Sequence, residues 1–293
     1  MNAEPVHESA PGVDSAADRP EPPETVIEAR TGWRLLDIGE LWRNRELLLL
    51  LTWRDVTVRY KQTALGVVWV VLQPLALMAA FSLFLGRVGG FGDRVEHYPL
   101  FVLIGLLAWQ FFSGALTAAS GSVVGNQSLV TKVYFPRLII PLSAAGAGLV
   151  DFAVGMGLLA LAMVYFGVVP GLGVLLLPVL VLLLAVSALG VGILLAALTV
   201  KYRDFRYVVP FCVQFWLFAT PVIYMPVELL GPTAQTWLPL NPAYGLILNF
   251  RNVVMGLPLD WYSLSVSAAV GVAGFVVGCL YFRRVERDFA DVI

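Results

Sequence analysis

The chain is 293 residues long, 59% hydrophobic and only 13% charged, with a mean hydropathy of +0.81. A soluble core of that size does not need so much apolar surface, and several uninterrupted runs reach about 20 residues, enough for a helix to cross hydrocarbon. The class left standing is a polytopic helical membrane protein, in which a net charge of −1 conceals a spatial asymmetry. The two cysteines, Cys212 and Cys279, lie inside apolar runs with neither metal spacing nor a disulfide framework, which reads as buried packing thiols.

Residues 1–32 are rich in Pro, Glu, Asp and Ala. They hold too little apolar surface to offset chain entropy and lack the apolar core of a cleavable signal, so a disordered acidic tail is expected. In residues 33–62 the character changes. Ile38, Trp42, Leu49, Trp53 and Tyr60 fall near one face of a helical wheel, with Arg43, Asn44 and Glu46 elsewhere. Trp beside Arg suits lipid headgroups. The pattern predicts an amphipathic helix over 38–53 on the cytoplasmic surface, continued by the polar stretch RDVTVRYKQ at 54–62.

A transmembrane domain over 63–283 follows. The first span, 64–86, carries Gln73–Pro74 near its middle, where a kink is expected. Trp69, Gln73, Ala80 and Phe84 occupy roughly one-sixth of the wheel, a face that suits either a water-lined path or packing against neighbours. The polar loop 87–98 holds a histidine, His97, with no second ligand near it. The second span, 99–119, ends in a small-residue run at 114–125, where helices can approach closely.

The stretch SLVTKVYFPRLIIP at 128–141 combines two cations, two aromatics and Pro136. It is either a positive loop that only fixes orientation or a docking element for a soluble engine. The third span, 138–166, contains Asp151, a group that costs roughly 2.5–3.5 kcal/mol at mid-bilayer on insertion scales. Ala144, Gly148, Asp151 and Gly155 share its face. A pathway or proton site is one reading. A buried structural hydrogen bond is preferred, because no cation in the spans completes a relay.

The fourth span, 174–200, has Pro178 in its first turns, and KYRDFRY at 201–207 makes a second cationic loop. The fifth span, 208–224, puts Phe211, Phe215 and Phe218 on one face with Trp216 beside them. Residues 225–261 are interrupted by four prolines. Asn241–Pro242 reads as a cap and first helical residue of a short helix ending near Arg251. Short re-entrant or interface-lying helices on the outer side are predicted there. The sixth span, 262–282, includes Gly274-x-x-x-Gly278, and a charged cytoplasmic tail closes the chain at 284–293.

The expected fold is thus an all-α integral membrane protein with six transmembrane helices, an N-terminal amphipathic interface helix and short outer helices between spans five and six. With both termini inside, inner segments hold thirteen cations and outer segments three, leaving out Arg19, Arg30 and Arg34, which fixes the orientation. No GxxxxGK[ST] phosphate loop, hydrolytic triad or metal-ligand set stands in a loop. A secondary transporter would show repeats and coupled midplane charges. A channel-forming, non-enzymatic subunit without its own motor remains.

Five stretches in order carry a resemblance: LGVVWVVLQPLALMAAFSLFLGRV, SLVTKVYFPRLIIPL, LVDF, KYRDFRY and LNPAYGLILNFRN. Over residues 42–286 the chain resembles the permease subunits of ABC transporters that export polysaccharides, namely O-antigen, capsule and teichoic-acid exporters. The resemblance implies two copies around one pore in the bacterial inner membrane, each bound to a separate ATP-hydrolysing subunit that holds the ATP and Mg. This chain would bind no cofactor, metal or nucleic acid. Residues 129–137 and 201–207 would be coupling helices, with Lys132, Tyr134, Phe135, Pro136, Arg137, Lys201, Arg203 and Asp204 as contact candidates. Residues 54–62 would form a gate helix and 226–251 outer gate helices. An aromatic canal, stacking on sugar faces, maps onto Trp69, Phe81, Phe84, Phe211, Phe215 and Trp216, with Gln73 in the same substrate path. The substrate would be a lipid-pyrophosphate-linked glycan, with Arg54, Arg59 and Lys61 either accepting the pyrophosphate or binding lipid headgroups. The alternatives are an ABC permease of the same fold for small lipids or drugs, and an ion-gradient-driven lipid-linked-sugar flippase using Asp151.

Overall fold

The apolar run after His97 forms helix α4, Tyr98–Gly125, which is buried on almost every side. A helix that is apolar all round has no face to give to water, and α4 becomes the post on which the other helices lean. The computed structural model describes residues 38–61, 67–132, 135–286 and 289. The expected acidic tail at 1–32, Tyr134 and most of the tail after 286 lie outside the described residues.

Before α4 come α1, Ile38–Arg43, α2, Arg45–Lys61, and α3, Val67–Phe81, the last continuing as a π-helical segment over Ser82–Val88. After it come α5, Gln127–Lys132, α6, Ile139–Phe166, and α7, Leu177–Lys201, which is preceded by a 3-10 turn over Leu172–Leu176. Helix α8 covers Phe205–Phe218, α9 Pro232–Trp237, α10 Tyr244–Val254 and α11 Trp261–Val285. Among the described residues there is no strand.

Among the described residues, five helical stretches are long and apolar enough to cross a membrane: Val68–Val88, Tyr98–Gly125, Ile139–Phe166, Leu172–Lys201 and Trp261–Val285. The fifth expected span is the 14-residue α8. At 1.5 Å per residue it covers about 21 Å, short of a hydrocarbon core of about 30 Å. The chain then turns through short 3-10 segments at Pro221–Ile223 and Val227–Leu229.

The amphipathic helix expected over 38–53 is two helices parted at Asn44, and the second runs on through the polar stretch to Lys61. Asn favours helix starts over helix interiors, and the Asn44 carbonyl accepts the Leu48 N–H at 3.1 Å. Helix α2 runs alongside α6. Thr52 sits against Gly146, and its hydroxyl is 2.8 Å from the Leu48 carbonyl. Pro74 stays inside α3 without ending it, and the irregular turns come later, at Ser82–Val88, where the Gly89 N–H reaches back to the Phe84 carbonyl.

Helices α7 and α11 approach through small residues. A side chain on Gly278 would come within 2.4 Å of the Gly190 carbonyl, and one on Gly271 would collide with Ser187. A Cβ on Gly274 would meet nothing within 4 Å. The close contact therefore uses Gly271 and Gly278, two helical turns apart, rather than the Gly274-x-x-x-Gly278 pair read from spacing. Cys279 is buried beside this seam, whereas Cys212 is exposed on α8, against its reading as a packing thiol.

A second apolar cluster binds one end of the bundle. It joins Leu51, Val123, Val130, Phe135, Leu138, Ile193, Val200 and Phe282, and Phe289 closes it edge-on to Phe282 at 5.2 Å.

Candidate functional site

Helices α2, α3, α4 and α6 enclose a cavity of about 750 Å³. Each wall follows from helical spacing. From α6 come Ala144, Gly148, Asp151 and Gly155, the face the sequence had grouped together. From α4 come Gln110, Ser113, Gly114 and Thr117, spaced i, i+3, i+4 and i+7, a polar stripe on a helix otherwise closed by apolar neighbours. From α3 come Trp69, Val70 and Gln73, and from α2 Arg59 and Tyr60.

Asp151 is not the isolated carboxylate that the spans suggested. The Arg59 guanidinium forms an ion pair with it, and the Tyr60 hydroxyl donates to its other oxygen. Burial first, then the hydrogen bond to Asp151, push the Tyr60 hydroxyl up to about 12, so it stays a donor at neutral pH. The pair is partly open: the Arg59 and Asp151 side chains keep 43% and 27% of their accessible surface. Gln110, in the wall, has an amide nitrogen without a hydrogen-bond partner among the described residues. A cation and a hydroxyl at one end, amides and hydroxyls along one wall and Trp69 opposite suit a hydroxyl-rich molecule with an anionic end.

The other residues singled out in the sequence fall in several places. Arg54 is turned away from the cavity, paired with Asp55 at 2.7 Å and donating to the Asn126 side chain at 2.8 Å. Lys61 is exposed. Phe84 in the π-helical segment after α3, and Phe211 and Phe215 on α8, lie exposed outside the cavity wall, with the two α8 rings 4.7 Å apart. Phe81 stacks on Tyr224 at 5.5 Å. Trp216 does not share the Phe211–Phe215 face. It packs edge-on against Phe112 at 5.3 Å and donates its indole N–H to Asn241 at 3.0 Å.

Of the two cationic loops, the first is anchored inward. Phe135 is 9% exposed and belongs to the apolar cluster, and Arg137 donates to the Glu286 carbonyl at the end of α11. Both were expected to face a partner, yet they brace the loop from within. Pro136 is half-buried, and Lys132, Lys201, Arg203 and Asp204 are exposed.

The segment LNPAYGLILNFRN is explained by its polar side chains. The Asn241 oxygen accepts the Ala243 N–H at 3.1 Å in a turn ahead of the helix, and the expected cap is corrected: Ala243 is the N-cap, and α10 starts at Tyr244 and runs past Arg251 to Val254. Asn249 donates to Gly245 and Asp260 carbonyls and accepts the Asp260 N–H at 2.8 Å. Arg251, counted as an outer cation, is 2% exposed, lies 3.7 Å over the Phe101 ring and donates to the Val222 carbonyl at 2.5 Å.

Sequence reasoning missed Tyr60 and the stripe Gln110, Ser113 and Thr117. The stripe was readable, since polar residues recur at helical spacing inside an apolar run. The Tyr60 contact spans 91 residues and left no local signal.

Comparison with known proteins completes the picture. The sequence model of the family described as ABC-2 type transporter matches residues 46–255. The chain is 30% identical to an O-antigen export system permease protein RfbA of Myxococcus xanthus over 258 residues, which cover 87% of this chain and 98% of that protein. It is 27% and 26% identical to two O-antigen export system permease proteins RfbA of Klebsiella pneumoniae, each over 250 residues covering 85% of this chain and 95% of the relative.

Proposed function

The chain belongs to the ABC-2 type transporter family, and from that premise we propose that it is the membrane subunit of an ATP-driven polysaccharide exporter. It would move a lipid-linked glycan of the O-antigen kind from the cytoplasmic to the outer side of the bacterial inner membrane, with both termini cytoplasmic. Two copies form the pore, and two ATP-binding subunits drive it. The names of the relatives support the cargo class.

The observation that carries this reading is the cavity, where the Arg59 end can take a phosphate and the Trp69, Gln73 and Gln110 walls can take sugar faces and hydroxyls. A polymer must slide without tight binding at any one register, and flat rings with scattered amides allow that. The exposed rings of Phe84, Phe211 and Phe215 then face the second copy across the pore. With Phe135 and Arg137 turned inward, the contact to the ATPase rests on Lys132, Lys201, Arg203 and Asp204.

An ion-gradient flippase using Asp151 as proton carrier is disfavoured. The carboxylate is already engaged by the Arg59 guanidinium and the Tyr60 hydroxyl, which supports a structural ion pair over a lone acid that carries protons. The test is a mild-detergent pull-down of the tagged chain from its native cells, read by mass spectrometry. A stoichiometric ATP-binding subunit and glycan export that stops on deletion of the chain are expected. A chain that purifies alone while other complexes survive refutes the reading.

A further inference from the structure

Helix α2 carries two of the three groups that meet at the cavity's charged end, and α6 carries the third. Arg59 and Tyr60 both spend donors on Asp151. Towards its N-terminal end α2 is held separately, by Leu51 in the apolar cluster with Leu47 and Leu48 packed against it, and by Thr52, whose hydroxyl is 3.5 Å from the Ser143 carbonyl. The charged cluster is thus the tie between the C-terminal end of α2 and α6. A phosphate would seek the same donors that the carboxylate holds, because both are oxyanions matched to a guanidinium fork and a hydroxyl.

We propose that the Asp151 carboxylate is an internal stand-in for a phosphate: an anionic group entering the cavity exchanges with Asp151 at Arg59 and Tyr60, and the exchange loosens the end of α2 that these groups tie to α6. This rests on the exporter reading and adds to it a trigger, by which the cargo's own anionic end loosens the helix beside it. An ion pair this exposed is weak, so a competitor of ordinary affinity can displace it.

The structure also supplies a reporter. A Cβ built on Gly146 lies 3.7 Å from the Thr52 Cβ, inside the range of about 3.5–4.5 Å that a disulfide spans. The Thr52→Cys, Gly146→Cys chain, with Cys212→Ser and Cys279→Ala, is assembled with its partner subunits in nanodiscs of zwitterionic lipid, and the rate of oxidative cross-linking is followed. A short-chain isoprenyl pyrophosphate is expected to slow cross-linking about 2- to 5-fold, the factor such an ion pair supports, and the matching isoprenol to leave it unchanged. Inclusion of phosphatidylglycerol tells the two phosphate sources apart: slowing by it as well assigns the exchange to lipid headgroups, and slowing by pyrophosphate alone assigns it to the cargo.

Adding Asp151→Asn should slow cross-linking without any ligand and remove the pyrophosphate effect. If that chain does not assemble, Tyr60→Phe, which removes one of the two holds, should show a smaller slowing in the same direction. Cross-linking that ignores pyrophosphate, or that is as fast in both variants as in the parent, overturns the exchange. Loss of export by the parent chain with the pyrophosphate response intact would instead count against the exporter reading and leave the exchange standing.

Discussion

The connection between α8 and α11 and the cavity beside α2 each hold an arginine, and the two are built into the fold in opposite ways. Arg251 is 2% exposed, pressed on Phe101 and bonded to a backbone carbonyl, within a mesh that also includes Asn241, Asn249 and Asp260. Arg59 keeps 43% of its side-chain surface and meets a carboxylate on the next helix. Removing the first leaves a buried acceptor with nothing to replace it. Removing the second leaves groups that water can reach. A count of cations treats the two alike, but one is buried architecture and the other stands in a partly open ion pair.

The largest effect should follow from Arg251→Met. It forfeits a charged hydrogen bond and a cation–π contact, together about 2–4 kcal/mol. Thermal unfolding in detergent should show a marked drop, and an unchanged melting curve would remove the architectural reading of this residue. Next is Gly245→Ala in the same region. Its Cβ would lie 2.0 Å from the Ser263 carbonyl, so α10 and α11 must part. Overpacking of this kind costs about 1–3 kcal/mol, and a variant as stable as the parent would mean that the seam yields freely.

How much of this was legible beforehand depended on what helical periodicity can say. It grouped Ala144, Gly148, Asp151 and Gly155, and it grouped Trp69 with Gln73; those residues do share cavity walls. It could not say which neighbour a face meets. In helices apolar all round, every face reads the same, so Trp216 was placed with the Phe211 face although its ring turns to Phe112. The Gly274–Gly278 spacing was found, but the contact uses Gly271, because the side the α7 backbone approaches is set by tertiary packing. The pairing of Arg59 with Asp151 crosses 92 residues and joins a polar surface stretch to a span. Rules that treat spans and loops separately cannot see it.

Arg59→Gln tests the other half of the comparison. A half-exposed ion pair is worth under about 1 kcal/mol, so the melting temperature should barely move, while on the proposed reading glycan export in cells should fall because the phosphate loses its guanidinium donor. A melting loss as large as that of Arg251→Met would erase the distinction between the two arginines.

The smallest effect on stability belongs to Gly148, the cavity's counterpart to Gly245. A Cβ there meets nothing within 4 Å, and alanine is favoured over glycine in a helix interior by about 1 kcal/mol. Gly148→Ala should therefore leave the fold unchanged or slightly firmer. Gly148→Leu extends the same experiment, since its side chain would fill space beside Asp151 and opposite Trp69. If the proposed route is right, stability should again hold while export falls, because the wall would be small where the cargo passes rather than where helices touch. If Gly148→Leu unfolds the protein, α6 packs against something at that point and the cavity is not a passage. If the protein stays folded and exports normally, the route runs instead along the exposed rings of Phe84, Phe211 and Phe215, and Phe→Ala changes there should cut export where Trp69→Ala does not.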